Sequence, residues 1–389
     1  MSIQKPRPVI IGAFSPPALA CIRSWGRQGF AVGMVCIRSQ REPPPGSRYL
    51  QSYCTLPSDK LFTDEGARRI DAYLRQFHAS GIMAIDEKIS CWLNDCRAAS
   101  GLSAEVWAPP NQVARDLMPK SRQVETARSV GMDLLPTYAV DRDHETVNSI
   151  PRDSYPLCLR PDLPIAVSPA FKVRIVHTRK ELLEFLARCD RIDRPIMAQP
   201  FADLPNLVVH GSRTVSGKTS GLQAFAVHRK FQGVTLTIRP YSMEPALADM
   251  CAEFVNRLGL IGNFHFEFLL DQASGRNYFL EINARLGGTT AKVLACGYDE
   301  PMLALEAYGI APSPPLYIRD RVVSSKHALL KYCCFALSGR LSLLDHPREP
   351  APVRLLKSIY GLVFYGDEIL SFSDMRGAIA FYRSLMPFH

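Results

Sequence analysis

The chain has 389 residues, 47% of them hydrophobic, which is enough for two or three domains with a substantial core. Its formal net charge of +9 arises from 46 basic and 37 acidic residues with no run of five like charges, so a nucleic-acid-binding tail is not indicated and anionic small molecules fit equally well. No stretch reaches the roughly 18 apolar residues of a membrane helix, the N-terminus lacks a signal-like apolar region, and eleven cysteines without a CxxC pair lack the spacing of a disulfide or metal framework; a cytoplasmic protein with reduced, buried thiols and no membrane partner is expected.

PVIIGAF predicts a short strand ending at Gly12. SPPALACIRSWGRQGF has helical spacing, with Ser15 as N-cap candidate and Pro16 in the first turn, and AVGMVCI is a second strand. Strand, helix and strand in this order imply a parallel sheet with a right-handed crossover. The first turn lacks G-x-G-x-x-G, and its two prolines remove backbone donors, so no dinucleotide is expected there. PPP at 43–45 marks a stiff surface loop. EGARRIDAYLRQFHAS is helical, GIMAI a strand and CWLNDCRAA a helix. Between the last two, Asp86 and Glu87 stand at the carboxyl end of a strand, where open α/β sheets bind ligands; capping of the next helix is an equal alternative for Asp86.

The character changes near residue 111. SRQVETARSVGMD predicts a helix ended by Gly131, and DLLPTYAV leads to a strand. YPLCLRPD and FKVRIVH read as paired strands separated by LPIAVSPA, followed by the helix RKELLEFLARC and the strand RPIMAQPF. Residues 204–240 alternate in the β manner, MEPALADMCAEFVNRLG is a helix ended by Gly259, and HALLKYCCFALSG and RGAIAFYRSLM are helical. Arg160 sits in an apolar strand, where an unpaired guanidinium is costly, so it requires an anionic partner.

Residues 263–285, NFHFEFLLDQASGRNYFLEINAR, form the most informative stretch. With QASGR as the turn, Asp271 faces Asn277, Glu267 faces Glu281 and His265 faces Asn283. Phe264, Phe266, Phe268 and Leu270, with Tyr278, Leu280, Ile282 and Ala284, then make a core face. His265, Glu267, Glu281, Asn283 and Arg285 share the other face, with Leu269 and Phe279 toward the turn. Two opposed carboxylates repel unless a cation joins them, and with an amide oxygen they suit Mg²⁺ (or Mn²⁺), which completes its shell with water and phosphate. Arg285 is placed to hold a phosphate or acyl-phosphate, and the following LGGTT permits close approach of an anion to the start of the helix AKVLACG. His265 is expected to hydrogen-bond Asn283 as a structural residue.

A Glu on one strand, then E-x-N-x-R and a glycine-containing stretch, resembles the ATP-grasp superfamily, in Glu267, Glu281, Asn283 and Arg285. The resemblance covers most of residues 1–312. It implies a mixed α/β and α+β architecture: a Rossmann-like domain at 1–110, a first ATP-grasp lobe at 111–200, a second lobe with the metal and phosphate site at 201–312, and an extension of open role at 313–389, where self-association to a homodimer is allowed. It further implies that Lys120, Arg160 and Lys172 neutralise ATP phosphates, that Gln199, Phe201, Ala202 and Asp203 form the adenine and ribose connection, and that Lys230 lies near the acceptor. Glu267, Glu281 and Asn283 would hold the metal and Arg285 the acyl-phosphate. The implied activity is ATP-dependent ligation of a small-molecule carboxylate to an amine, or to a thiol, through an acyl-phosphate with release of ADP and phosphate. The alternatives are a carboxylate kinase similar to carbamoyl-phosphate synthase and a nucleotide-binding regulatory protein. One departure from the family pattern is the loop LPIAVSPAFK, which contains no glycine.

Overall fold

The computed structural model describes residues 5–39 and 42–386. Strands β1 (Pro8–Gly12), β2 (Val32–Ile37), β3 (Leu50–Leu56), β4 (Gly81–Ala84) and β5 (Glu105–Val106) form a parallel sheet in the order β3-β2-β1-β4-β5. Helices α1 (Pro16–Arg27), α2 (Asp64–Phe77) and α3 (Glu87–Ser100) cover it. Successive side chains of a strand point to opposite faces, so Val9 and Ile11 pack with Ile70, Leu74 and Leu93, while Ile10 packs with Ile22 and Trp25. A strand sandwiched in this way reads as continuously apolar, as PVIIG does. The proline run at 43–45 does not end as a surface loop: Pro45, Gly46 and Ser47 are buried.

Two further helices, α4 (Asn111–Leu117) and α5 (Lys120–Ser129), precede a small antiparallel sheet. That sheet contains β6 (Tyr138–Val140), β7 (Leu157–Pro161), β9 (Arg174–Val176) and β11 (Ile196–Pro200) in the order β6-β11-β7-β9. Helices α6 (His144–Asn148) and α7 (Arg179–Arg188) supply its core through Val147, Leu182, Phe185 and Leu186. The two-residue strands β8 (Val167–Ser168) and β10 (Arg191–Ile192) pair beside it. In contrast, α4 and α5 pack on the large sheet through Leu117, Val124 and Ala127.

The large sheet has seven strands in the order β16-β15-β12-β13-β14-β17-β18. These are β12 (Asn206–Arg213), β13 (Thr219–Phe231), β14 (Val234–Tyr241), β15 (Gly262–Asp271), β16 (Arg276–Asn283), β17 (Val323–Ser324) and β18 (Gly366–Asp367). Helix α8 (Pro245–Arg257) stacks Phe254 against Phe266 and Phe279 in its main core. Two further helices, α9 (Thr290–Ala295) and α10 (Glu300–Ala307), join this sheet to the N-terminal one, where Trp25 Nε1 donates to Pro301 O at 2.8 Å.

The last residues, including α11 (Lys326–Leu337), α12 (Ala351–Phe364) and α13 (Met375–Ser384), belong to both ends of the molecule. Strands β17 and β18 extend the large sheet, while Asp374 accepts from Arg23 Nε at 2.9 Å and from Ser47 Oγ at 2.8 Å in the N-terminal one. Arg23 is 4% exposed, so this carboxylate is its necessary counter-charge. Of the cysteines, Cys334 is exposed and four others are only half-buried, so the expectation of uniform burial fails at those positions. Among the described residues, no helix is long and apolar enough to cross a membrane.

Candidate active site

Glu267 on β15 and Glu281 on β16 are direct cross-strand partners, and His265 pairs with Asn283. Beyond Glu267 the register slips by one residue, so that Phe268 pairs with Phe279 and Asp271 with Arg276. The expected pairing of Asp271 with Asn277 is therefore incorrect, and so is the parity expected near the turn. The physical reason is a β-bulge at Leu280, which lets one extra residue re-aim those before it. Phe279 turns into the core with Phe254, Phe266 and Phe268, whereas Leu280 lines the cavity beside Glu281.

The cationic groups come from three elements. Lys120 opens α5, is anchored by its N–H on Asp162 O at 3.1 Å, and donates its ammonium to Glu281. Arg160 on β7 is 8% exposed; its Nη1 is 3.8 Å from Glu281, while Nη2 donates to Gln199 Oε1 at 2.8 Å and to Leu280 O at 3.3 Å. Lys230 on β13 donates to Asn206 Oδ1 at 2.8 Å, and Asn206 Nδ2 donates to Glu267 at 3.3 Å. Asn283 donates to Glu281 and accepts from Arg285, both at 3.4 Å.

This arrangement divides the two carboxylates. Burial and the charge of Glu281 push Glu267 well above the usual carboxylate range, with Lys120 and Lys230 opposing only in part. Burial acts on Glu281 in the same sense, but Lys120 and Arg160 outweigh it and hold the group low. Burial also lowers Lys230, against the pull of Glu267 and Asp203.

Both glutamates, Arg160 and Lys230 face a cavity of about 200 Å³ between the small and large sheets, walled on one side by the link from Gln199 to Asp203. Phe201 and Ala202 belong to that wall, and the Phe201 ring carries the Arg348 guanidinium 5.2 Å from its centre. Asp203 is engaged by His346 and Arg348, both at 3.1 Å, and still lines the cavity. Lys172 is exposed and is not among the residues lining the cavity.

One other expectation is corrected, and two neighbouring segments find their roles. His265 is not held by Asn283; its Nδ1 is buried without a partner among the described residues, and its ring stacks on His210 at 5.5 Å. In the LGGTT segment the Thr289 hydroxyl bonds His210 Nε2 at 3.0 Å. A Cβ on Gly287 would stand 2.5 Å from the His265 ring, so this glycine serves the packing of that ring. Asp86 caps α3, accepting from Lys88 and Ile89.

Sequence reasoning missed Asn206, Leu343, Leu344 and His346, all of which line the cavity. Asn206 had a signal, since it is a polar residue opening the buried strand NLVVHGSR. The other three reach the site from more than a hundred residues farther along the chain, in a segment with no periodic pattern.

The donor set fits a hard divalent cation. Among the described residues, no group of three His, Cys, Asp or Glu side chains could hold a metal. Two carboxylates and an amide remain, the number that Mg²⁺ takes when it retains water and phosphate oxygens. Burial and the neighbouring Glu281 disfavour the charge on Glu267, and such an ion would offset both.

The architecture, a parallel N-terminal sheet followed by two sheets enclosing this cavity, is the ATP-grasp fold. Residues 235–313 match the family model for the ATP-binding domain of the carbamoyl-phosphate synthase L chain. No curated protein matches the chain in sequence. Solved structures match in fold. The biotin carboxylase domain of 2-oxoglutarate carboxylase from Hydrogenobacter thermophilus, in complex with MgADP, ADP and bicarbonate, is 16% identical, with a TM-score of 0.62 over 82% of this chain and 74% of that one. An ADP complex of N5-carboxyaminoimidazole ribonucleotide synthetase is 12% identical, with a TM-score of 0.62 over 93% and 98%. The L-amino acid ligase from Bacillus licheniformis is 18% identical, with a TM-score of 0.58 over 82% and 79%.

Proposed function

We propose that the chain is an ATP-dependent ligase that activates a small-molecule carboxylate and joins it to an amine. The observation that carries this reading is the pair Glu267 and Glu281, opposed across two strands and facing one cavity with Arg160 and Lys230. The named activities of the solved relatives, carboxylases and ligases, support it.

In this reading the Gln199–Asp203 link and Leu343, Leu344 and His346 hold the base and ribose of ATP. Lys120, Arg160 and Lys230 balance the phosphates, whose charge far exceeds that of any one side chain. Glu267, Glu281 and Asn283 hold Mg²⁺ or Mn²⁺, which when bound neutralises charge on the phosphate oxygens. A carboxylate oxygen of the substrate attacks the γ-phosphorus, the bond to the β–γ bridging oxygen breaks, and ADP leaves. Arg285 steadies the resulting acyl-phosphate by two parallel hydrogen bonds. The amine nitrogen then attacks the acyl carbon, phosphate departs, and the amine proton passes to solvent. Positioning and charge balance carry the rate in such a transfer, more than any acid–base pair. The need for ATP, and cysteines that lack the spacing of a disulfide framework, suit the cytoplasm.

The test is ADP release against a panel of carboxylic acids and amines, with and without Mg²⁺. The expected result is acid-dependent ADP and phosphate release that stops on chelation. Hydroxylamine trapping of an acyl-phosphate without amide product identifies a carboxylate kinase instead. The exposed position of Lys172 beside a glycine-free loop favours one further reading, a nucleotide-binding regulator, which would retain ATP and release no ADP.

A further inference from the structure

Glu87 and Arg285 meet across the boundary between the N-terminal and large sheets, with Glu87 Oε2 3.4 Å from Arg285 Nε. The adjacent Asp86 is committed to the backbone of α3. Glu87, the first residue of that helix, is not: among the described residues its one ion-pair partner is Arg285. Arg285 has no other anionic partner there, since its remaining contacts are Leu286 O at 3.3 Å and Asn283 Oδ1 at 3.4 Å. Both side chains are partly open to solvent, at 33% and 27% exposed. A small recess beside them is lined by Ser90, Trp107, Asn263 and Tyr308.

Resting on the ligase reading above, we infer that Glu87 is a specificity-determining residue that selects carboxylate substrates also carrying an ammonium group. A carboxylate arriving at Arg285 comes to lie beside Glu87, so two anions compete for one guanidinium. A purely anionic acid leaves Glu87 without a counter-charge in a partly desolvated place. A zwitterion with its ammonium near its carboxylate opens the ion pair and supplies a partner to each half: the carboxylate takes Arg285, and the ammonium takes Glu87. The same geometry gives the N-terminal sheet a direct part in substrate choice, at the carboxyl end of β4, where an open α/β sheet presents its loops.

The experiment uses the full chain saturated with a non-hydrolysable ATP analogue and MgCl₂. It is titrated calorimetrically with the common α-amino acids and with their des-amino counterparts, for wild type, Glu87→Gln and Glu87→Asp. ADP release is measured in parallel with ATP. Wild type is expected to favour the amino-bearing member of its best pair by about tenfold, the scale of one partly desolvated ion pair. Glu87→Gln loses that preference through weaker amino-acid binding and a raised KM at unchanged kcat, and Glu87→Asp recovers part of it. Equal discrimination in wild type and Glu87→Gln overturns the inference, as does a wild type that binds no amino acid. A Glu87 that only staples α3 to the end of β16 would lower the melting temperature and leave the ratio untouched, and that result overturns the inference too. Discrimination in binding without ADP release from any acid defeats the ligase reading while leaving the role of Glu87 standing.

Discussion

Two lysine–glutamate pairs within the protein share one chemistry and differ in their surroundings. Lys292 Nζ lies 3.0 Å from Glu368, with side chains 4% and 1% exposed, and Ser325 occupies the other carboxylate oxygen. Lys120 and Glu281 are 20% and 25% exposed, and Glu281 lines a cavity with a second carboxylate opposite. The first pair is closed, with both carboxylate oxygens engaged, and ties β18 to α9. The second is open, and the carboxylate opposite it is one whose charge burial and Glu281 disfavour, which a bound cation can offset. Burial of an ion pair therefore does not identify a site; a disfavoured charge facing open volume does.

Breaking the closed pair should have the largest effect. Glu368→Ala leaves Lys292 charged and enclosed, and urea denaturation is expected to show a loss of about 3–5 kcal/mol. ADP release per folded molecule stays the same; a stable variant would remove the distinction between the pairs. At the open pair the outcome reverses. Glu281→Ala is expected to lower ATP turnover by about a hundredfold to a thousandfold, the scale of one lost electrostatic group, with little change in melting temperature.

The disfavoured charge of Glu267 can be read separately through pH. Glu267 has a folded-state pKa raised above its unfolded value of about 4.3, so the folded protein holds that proton more tightly. Its stabilising contribution is complete below that unfolded value and is lost as pH rises toward neutrality. In metal-free buffer, the melting temperature of wild type should fall across this interval relative to Glu267→Gln, and Mg²⁺ with nucleotide should close the gap. Parallel profiles for the two proteins would show that folding does not raise Glu267. The smallest effect is expected for His346→Ala, which removes one hydrogen bond to Asp203 at the cavity wall. Nucleotide titration should show affinity weakened about threefold.

Much of the fold was legible because its strands and helices have strong periodicity. PVIIG, VGMVCI and the helix around Phe254 could take few other forms, and the opposition of Glu267 and Glu281 followed from counting along a hairpin. The bulge at Leu280 was not legible, since one extra residue leaves no mark in the run Tyr278, Phe279, Leu280 that precedes Glu281. Strand β3 is half-buried and lies at a sheet edge, so its side chains lack the alternation that marks a two-faced strand. The roles of Asp203 and His265 depended on partners distant in sequence: His346 and Arg348 for one, His210 for the other. Composition and local spacing carry no information about such meetings.

The contact between Arg23 and Asp374 also bears on the order of events during synthesis. The guanidinium sits on α1, and its counter-ion emerges only after some 350 further residues. Until then the first sheet can gather its apolar side chains but must keep that helix face hydrated. Final closure of this sheet's helix layer thus waits for synthesis of the segment around Asp374, and a nascent chain stalled before residue 374 should remain sensitive to protease around Arg23.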